Sequence, residues 1–316
     1  MTQAASKKRD RLRVIYRSNS HAPFWVVAER SGIWEKNGLA VETGPQLMRE
    51  KAVEALKNGH VDLISGNHHN LYAKKAKGED FVHLAQLAND WTDDRMVVSN
   101  GIRGVQDLRG KKVAVDKLTS HSGLNVWLFL RQEGLDVDQG DVELVAVPGS
   151  AEERWKRVHK GEFAATFVGT PHDLRAVRAG AQVVRVRPMP MIRGVTATTT
   201  MGFVSGHEEE IRRFIRGVVD AVHFFLAKRD ETLNILRRHI PSILHLENDE
   251  EVETLYREWT QSLEQKPYPS MEAIANVFQL ALRRNPEISD FNPLAMWDTH
   301  YVRELDDSGY IDQIFR

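Results

Sequence analysis

Between Leu12 and Val186 short apolar strands keep alternating with short helices, and this rhythm restricts the chain more than any other feature. Leu12 to Tyr16, Leu39 to Glu42, Val61 to Ile64, Phe81 to Leu87, Met96 to Val98, Val113 to Val115, Val142 to Val147 and Gln182 to Val186 read as strands. Phe24 to Ser31 (with Pro23 in its first turn), Lys51 to Asn58, Leu71 to Lys77, Leu124 to Glu133, Glu152 to Val158 and Asp173 to Arg178 read as helices. Strands interleaved with helices of roughly ten residues predict an α/β fold with largely parallel sheets. Thr196 to Ser205 is β-rich and is expected to return to the first sheet. From His207 onward the pattern is helical, which makes the C-terminal part α-rich.

One unit of this rhythm occurs twice. Asn58-Gly59-His60-Val61-Asp62-Leu63-Ile64-Ser65-Gly66 opens into Asn67-His68-His69-Asn70, and Lys160-Gly161-Glu162-Phe163 leads through Val168 to Gly169-Thr170-Pro171-His172. Polar side chains at the carboxyl end of a buried strand are where open α/β sheets bind ligands. Two lobes that each present such a loop predict one ligand cleft between them.

The totals exclude several classes. A chain of 316 residues can bury one large core or two medium ones. Its net charge of −1 gives no global field for nucleic acid. The absence of cysteine removes disulfides, thiolate nucleophiles and zinc-thiolate or iron–sulfur sites. No apolar run is long enough for membrane insertion. The basic stretch from Met1 to Arg13 runs into the first strand without an apolar signal core. The expectation is a cytoplasmic protein, or a periplasmic one if a signal has been removed.

Ala22-Pro23-Phe24 through Glu29-Arg30-Ser31-Gly32-Ile33-Trp34-Glu35-Lys36-Asn37-Gly38-Leu39 resembles the opening helix of the NMT1/THI5-like, sulfonate/nitrate-type solute-binding family. Leu56 to Asp62, Asp107 to Val115, His159 to Phe163 and Asp306 to Asp312 are similar to its later blocks, in order. The resemblance implies a two-lobed, type II periplasmic-binding-protein-like fold, with lobe 1 at 12–98 plus 201–316 and lobe 2 at 99–200. Most members of that family pass small anions or zwitterions to ABC transporters, whereas some relatives are intracellular enzymes. The thiamine-pyrimidine synthases need a cysteine-rich motif and a pyridoxal-phosphate lysine, which 194–200 and the Gly66 region lack. No cofactor is implied. A sulfinate desulfinase carries a cysteine in the loop that resembles Arg17 to His21, where Ser20 stands here.

Candidate site residues come from the loops at strand ends. His68, His69, His121 and His172 are the candidate acid–base groups, because imidazole exchanges protons near neutral pH. Their spacing matches no metal-binding pattern, so no metal is expected. Thr119, Ser120, Ser122 and Gly123 precede a helix and offer hydroxyls and unpaired backbone N–H groups to an anion; Ser120 or Ser122 equally serves as a plain N-cap. Arg193, in Met189 to Gly194, can clamp a carboxylate or sulfonate. Trp91 can stack on an aromatic ligand, with a wedge into the lobe 1 core as the plainer role. Ser20, His21, Asn67, Gly169 and Thr170 complete the expected ligand contacts. Trp25, Trp34, Trp127 and Trp155 occupy helical positions and read as packing.

The functional expectation is a cytoplasmic lyase of the decarboxylase or desulfinase kind, acting on a small organic anion. The alternatives are the substrate-binding component of an ABC transporter, with a permease as partner once exported, or a cytoplasmic ligand sensor.

Overall fold

A computed structural model describes residues 10–316, apart from positions 17, 45, 46, 48, 67, 92 and 93 and the side chains at 49 and 68. Ten strands occur among the described residues: β1 (Asp10–Tyr16), β2 (Leu39–Gly44), β3 (Leu63–Ser65), β4 (Phe81–Gln86), β5 (Arg95–Val98), β6 (Lys112–Val115), β7 (Glu143–Ala146), β8 (Ala165–Val168), β9 (Gln182–Arg185) and β10 (Thr196–Thr200). They form two five-stranded sheets, β2-β1-β3-β10-β4 and β7-β6-β8-β5-β9. In the first, β1 runs parallel to β2 and β3, and β10 is antiparallel to β3 and β4. In the second, β6 runs parallel to β7 and β8, and β5 is antiparallel to β8 and β9. The reversed strand in each sheet follows a crossing of the chain. β5 comes directly after β4 of the first sheet, and β10 directly after β9 of the second.

Two compact units result: residues 1–89, 193–269 and 291–316, and residues 90–192 and 270–290. These bounds differ from the expected ones in three places. β5 pairs with β8 and β9 and so lies in the second unit. β10 completes the first sheet, as expected of the stretch from Thr196, so the second unit ends before the expected bound at 200. The helix Met271–Arg284 also joins the second unit, where Gln132 Nε2 donates to Asn276 Oδ1 at 2.9 Å and Arg283 grips Asp138 through two 2.7 Å bonds.

The first unit is built around aromatic packing. Trp34 stacks on Phe214 at 5.4 Å between ring centroids, and Trp25 stacks on both. The close approach depends on Gly217 of the helix Glu208–Ala227, since a Cβ there would lie 2.7 Å from Trp34 Cζ3. β3 and β4 are buried along their whole length, as expected of strands covered on both faces. The Asn58 to Asp62 motif is a strand lock. Asp62 accepts 2.7 Å bonds from the Arg13 backbone N–H and guanidinium, and the same guanidinium donates to the Gly59 carbonyl. Gly59 makes this turn at φ 65°, a conformation that L side chains resist.

Two local expectations are corrected. Helix His68–Ala76 begins three residues earlier than the expected Leu71 start, so His68 and His69 belong to its first turn and not to a loop. The strand expected to run to Ser205 stops at Thr200, whose hydroxyl accepts from Phe203 N and starts the helix Met201–Gly206. Trp25, Trp34, Trp127 and Trp155 are buried. No helix among the described residues is long and apolar enough to cross a membrane.

Candidate functional site

The second unit holds a pocket of about 130 Å³ at the carboxyl ends of the parallel strands β6 and β8. This is the position at which strand direction and helix starts converge in α/β sheets. Asp116 follows β6, while Gly169 and Thr170 follow β8. Ser122 and Val126 come from the helix His121–Gln132, Ala151 and Arg154 from the helix Ala151–His159, and His172 from the helix His172–Arg178. The volume is well below the roughly 300–1,000 Å³ of pockets that enclose drug-sized ligands, and suits a small head group.

Each wall follows from local sequence chemistry. Ser120 caps the helix His121–Gln132: its Oγ accepts from Gly123 N at 3.1 Å and donates to the Lys117 carbonyl at 2.9 Å. Ser122 Oγ lies 3.0 Å from Ser120 Oγ and faces the pocket from the first turn. Gly123 is required by crowding, because a Cβ there would lie 2.0 Å from the Lys117 carbonyl oxygen. Ser150 and Glu153 form a capping box that starts the helix Ala151–His159. Arg154 lies one turn in and donates to the Gly149 carbonyl at 2.8 Å. The turn from Gly169 to His172 contains a cis Thr170–Pro171 bond and closes through His172 N to the Gly169 carbonyl at 2.9 Å.

Thr170 Oγ1 donates to Asp173 Oδ1 at 3.2 Å, and Asp173 pairs with Arg95 Nε of β5 at 3.3 Å. Arg95 also pairs with Asp94, so a buried guanidinium between two carboxylates anchors the wall that carries Thr170 and His172. Burial pushes the Asp94 carboxyl up, against the pull of Arg95. Burial also lowers the His172 imidazole pKa. Arg175 and Arg154 push it the same way, while Glu152 and Asp173 oppose them. His172 Nδ1 is enclosed and has no hydrogen-bond partner among the described residues. The pocket thus offers one guanidinium, one hydroxyl at a helix start, one imidazole and one carboxylate.

Four expected site residues line this pocket: Ser122, Gly169, Thr170 and His172. Thr119 is exposed, and neither it nor His121 lines the cavity. Ser120 and Gly123 shape the helix start without lining the cavity. Trp91 lies in the second unit and not in a lobe 1 core; it is 4% exposed and packs against Phe129 and Phe167 at 5.3 and 5.4 Å.

The first unit carries its own polar cluster at the ends of β1 and β3. His21 Nδ1 lies 3.2 Å from the Ser65 carbonyl, and Ser65 Oγ donates to the Gly194 carbonyl at 3.1 Å. A Cβ on Gly194 would sit 1.6 Å from His21 Nε2, so that glycine makes room for the ring. Ser20 is exposed, with its Oγ 2.8 Å from Ser18 Oγ. Arg193 lies over the Trp259 ring at 4.5 Å. His69 is 3% exposed within its helix, and Asn67 and the His68 side chain lie outside the described residues. No group of three or more carboxylate or imidazole side chains suited to a metal occurs among the described residues.

Sequence reasoning missed Asp116 and Arg154. The Ser150-x-x-Glu153 box was the available signal for Arg154, because it fixes where the helix starts and hence which residue faces back over the strand ends.

The family model described as NMT1/THI5 like matches residues 18–232. No curated protein sequence matches the chain. Among solved structures, the periplasmic aliphatic sulphonate binding protein SsuA of Escherichia coli is similar at 20% identity and TM-score 0.68, covering 91% of this chain and 96% of that one. A protein of Methylobacillus flagellatus described as a periplasmic sulfonate-binding protein is similar at 16% identity and TM-score 0.69, over 97% and 96% of the two chains. The periplasmic nitrate-binding protein NrtA of Synechocystis is similar at 15% identity and TM-score 0.60, over 98% and 91%. The chain belongs to the NMT1/THI5-like family and has a two-lobed, periplasmic-binding-protein-like α/β fold.

Proposed function

We propose that the chain is the solute-binding component of an ABC-type importer and captures a small organic anion outside the cytoplasm for a permease partner. The observation that carries this reading is the meeting of Arg154 with the start of the helix His121–Gln132 at the carboxyl ends of β6 and β8, in one pocket. A helix start presents unpaired N–H groups and a positive dipole end, and a guanidinium adds charge-assisted bonds to a sulfonate or carboxylate. The fold-level neighbours named for sulfonate and nitrate binding support the same ligand class. Ser122, Arg154, Gly169, Thr170 and His172 are the proposed contacts.

The cytoplasmic lyase reading has less behind it. Of the described histidine side chains expected to do acid–base work, His172 lines the pocket while His69 and His121 do not. The neighbours described above are named as periplasmic proteins. Isothermal titration with methanesulfonate, benzenesulfonate, nitrate and benzoate, with chromatographic recovery of each ligand, tests the choice. Saturable binding at one site with full recovery supports a receptor. Failure of the whole panel to bind, or consumption of ligand beyond one equivalent, overturns it.

A further inference from the structure

Asp116, at the end of β6, supplies the only carboxylate among the described residues that line the pocket. It is partly buried and forms no hydrogen bond or ion pair among the described residues. Other carboxylates of this unit are committed. Asp173 pairs with Arg95, Asp138 with Arg283, Asp141 with Arg109 and Glu152 with Lys156, while Glu153 accepts from the Ser150 N–H. Arg154 lines the same cavity, yet no ion pair joins it to Asp116. The two opposite charges therefore stand apart on one wall, with Val126 and Phe167 adding apolar lining. A cavity of about 130 Å³ holds the charge of any occupant close to Asp116. A bare anion there meets a like charge that a partly desolvated site screens less than bulk water does. An ammonium group in the same place gains a charge-assisted hydrogen bond.

We propose that Asp116 is a specificity-determining residue of this pocket and selects ligands that carry an ammonium group a short chain away from their sulfonate or carboxylate. This rests on the binding reading above and narrows its ligand class from small organic anions to small zwitterions. The acid group meets Arg154 and the start of the helix His121–Gln132, the ammonium group donates to the Asp116 carboxylate, and the small volume keeps the spacer between them short. Purely anionic ligands enter the same pocket and bind more weakly.

The test compares ligands of matched shape that share an acid group: 2-aminoethanesulfonate against propane-1-sulfonate, and 3-aminopropanoate against butanoate. Each pair differs only in an ammonium group against a methyl group. Isothermal titration at pH 7, in a buffer free of sulfonates, gives the four Kd values. The wild type is expected to bind the ammonium member of each pair roughly 10- to 150-fold more tightly, the range of a hydrogen bond between charged groups. Asp116→Asn, with an unchanged melting temperature without ligand, is expected to bind the two members of each pair about equally. Equal or tighter binding of the methyl members by the wild type overturns the inference and leaves the receptor reading intact. Retention of the preference in Asp116→Asn assigns the selection to another residue and overturns it too. Failure of all four ligands to bind removes the receptor reading for these ligand classes, and the inference with it.

Discussion

Acidification should weaken the first unit through a single side chain, His83 of β4. Its ring is fully buried, with Nδ1 2.9 Å from Thr198 Oγ1 on the neighbouring β10 and its face 4.7 Å from Trp297. Nε2 has no partner among the described residues, and Lys75 adds like charge. Burial, first, and then Lys75 lower its pKa to about 3, against about 6.5 in an unfolded chain. A histidine held neutral in the folded state contributes its full stability above the unfolded pKa. That contribution is lost as pH falls below it, because the unfolded chain binds the proton and the folded one does not. At about 1.4 kcal/mol per pH unit, the loss reaches roughly 2 kcal/mol near pH 5. Urea unfolding followed by tryptophan fluorescence at pH 7 and pH 5 measures it, with His83→Gln as the reference that cannot titrate. The wild type should lose about 2 kcal/mol more than the variant between the two conditions. Equal losses would refute the argument, since they would mean that His83 is protonated in the folded state at no cost.

Three substitutions separate packing from binding. Gly217→Ala forces a Cβ to 2.7 Å from Trp34 and should cost about 1–3 kcal/mol in thermal unfolding, with sulfonate Kd unchanged. Gly123→Ala sets a Cβ 2.0 Å from the Lys117 carbonyl and should lower both melting temperature and affinity, because the helix start beside the pocket must shift. Arg154→Met removes the guanidinium while keeping an unbranched stem and should weaken sulfonate binding by about 1.5–3 kcal/mol, or roughly 10- to 150-fold, in a calorimetric titration.

What the sequence revealed and what it hid have physical causes. Leu12 and Val14 alternate with less buried neighbours and Pro23 lies at the start of its helix, so strand and helix positions follow from local periodicity. Sheet membership does not. That β5 lies between β8 and β9 is decided by pairings such as Met96 with Phe167 and Val184, across many residues of chain, and no short window holds them. His68 and His69 looked like loop residues because Gly66 and Asn67 precede them, yet the helix begins at His68. The repeated unit suggested ligand chemistry in its strand-end loops, and its Gly59 to Asp62 lead-in supplies none. Its carboxylate is committed to Arg13, which makes it architecture. The strand-end loop of the second copy does take part, with Gly169, Thr170 and His172 lining the pocket. Arg154 was hidden among Glu152, Glu153, Lys156 and Arg157 on what reads as a solvated helix face, and only the capping geometry distinguishes it.

The central claim is that the second unit's pocket captures an anion at the carboxyl ends of β6 and β8. It is tested most directly by following the Arg154 Nε–H and the backbone amides of Ser122, Gly169 and Thr170 by NMR while methanesulfonate is added. The account predicts saturable shifts at these groups with one shared Kd. Saturable shifts confined to residues elsewhere, with these four groups unmoved, would contradict it.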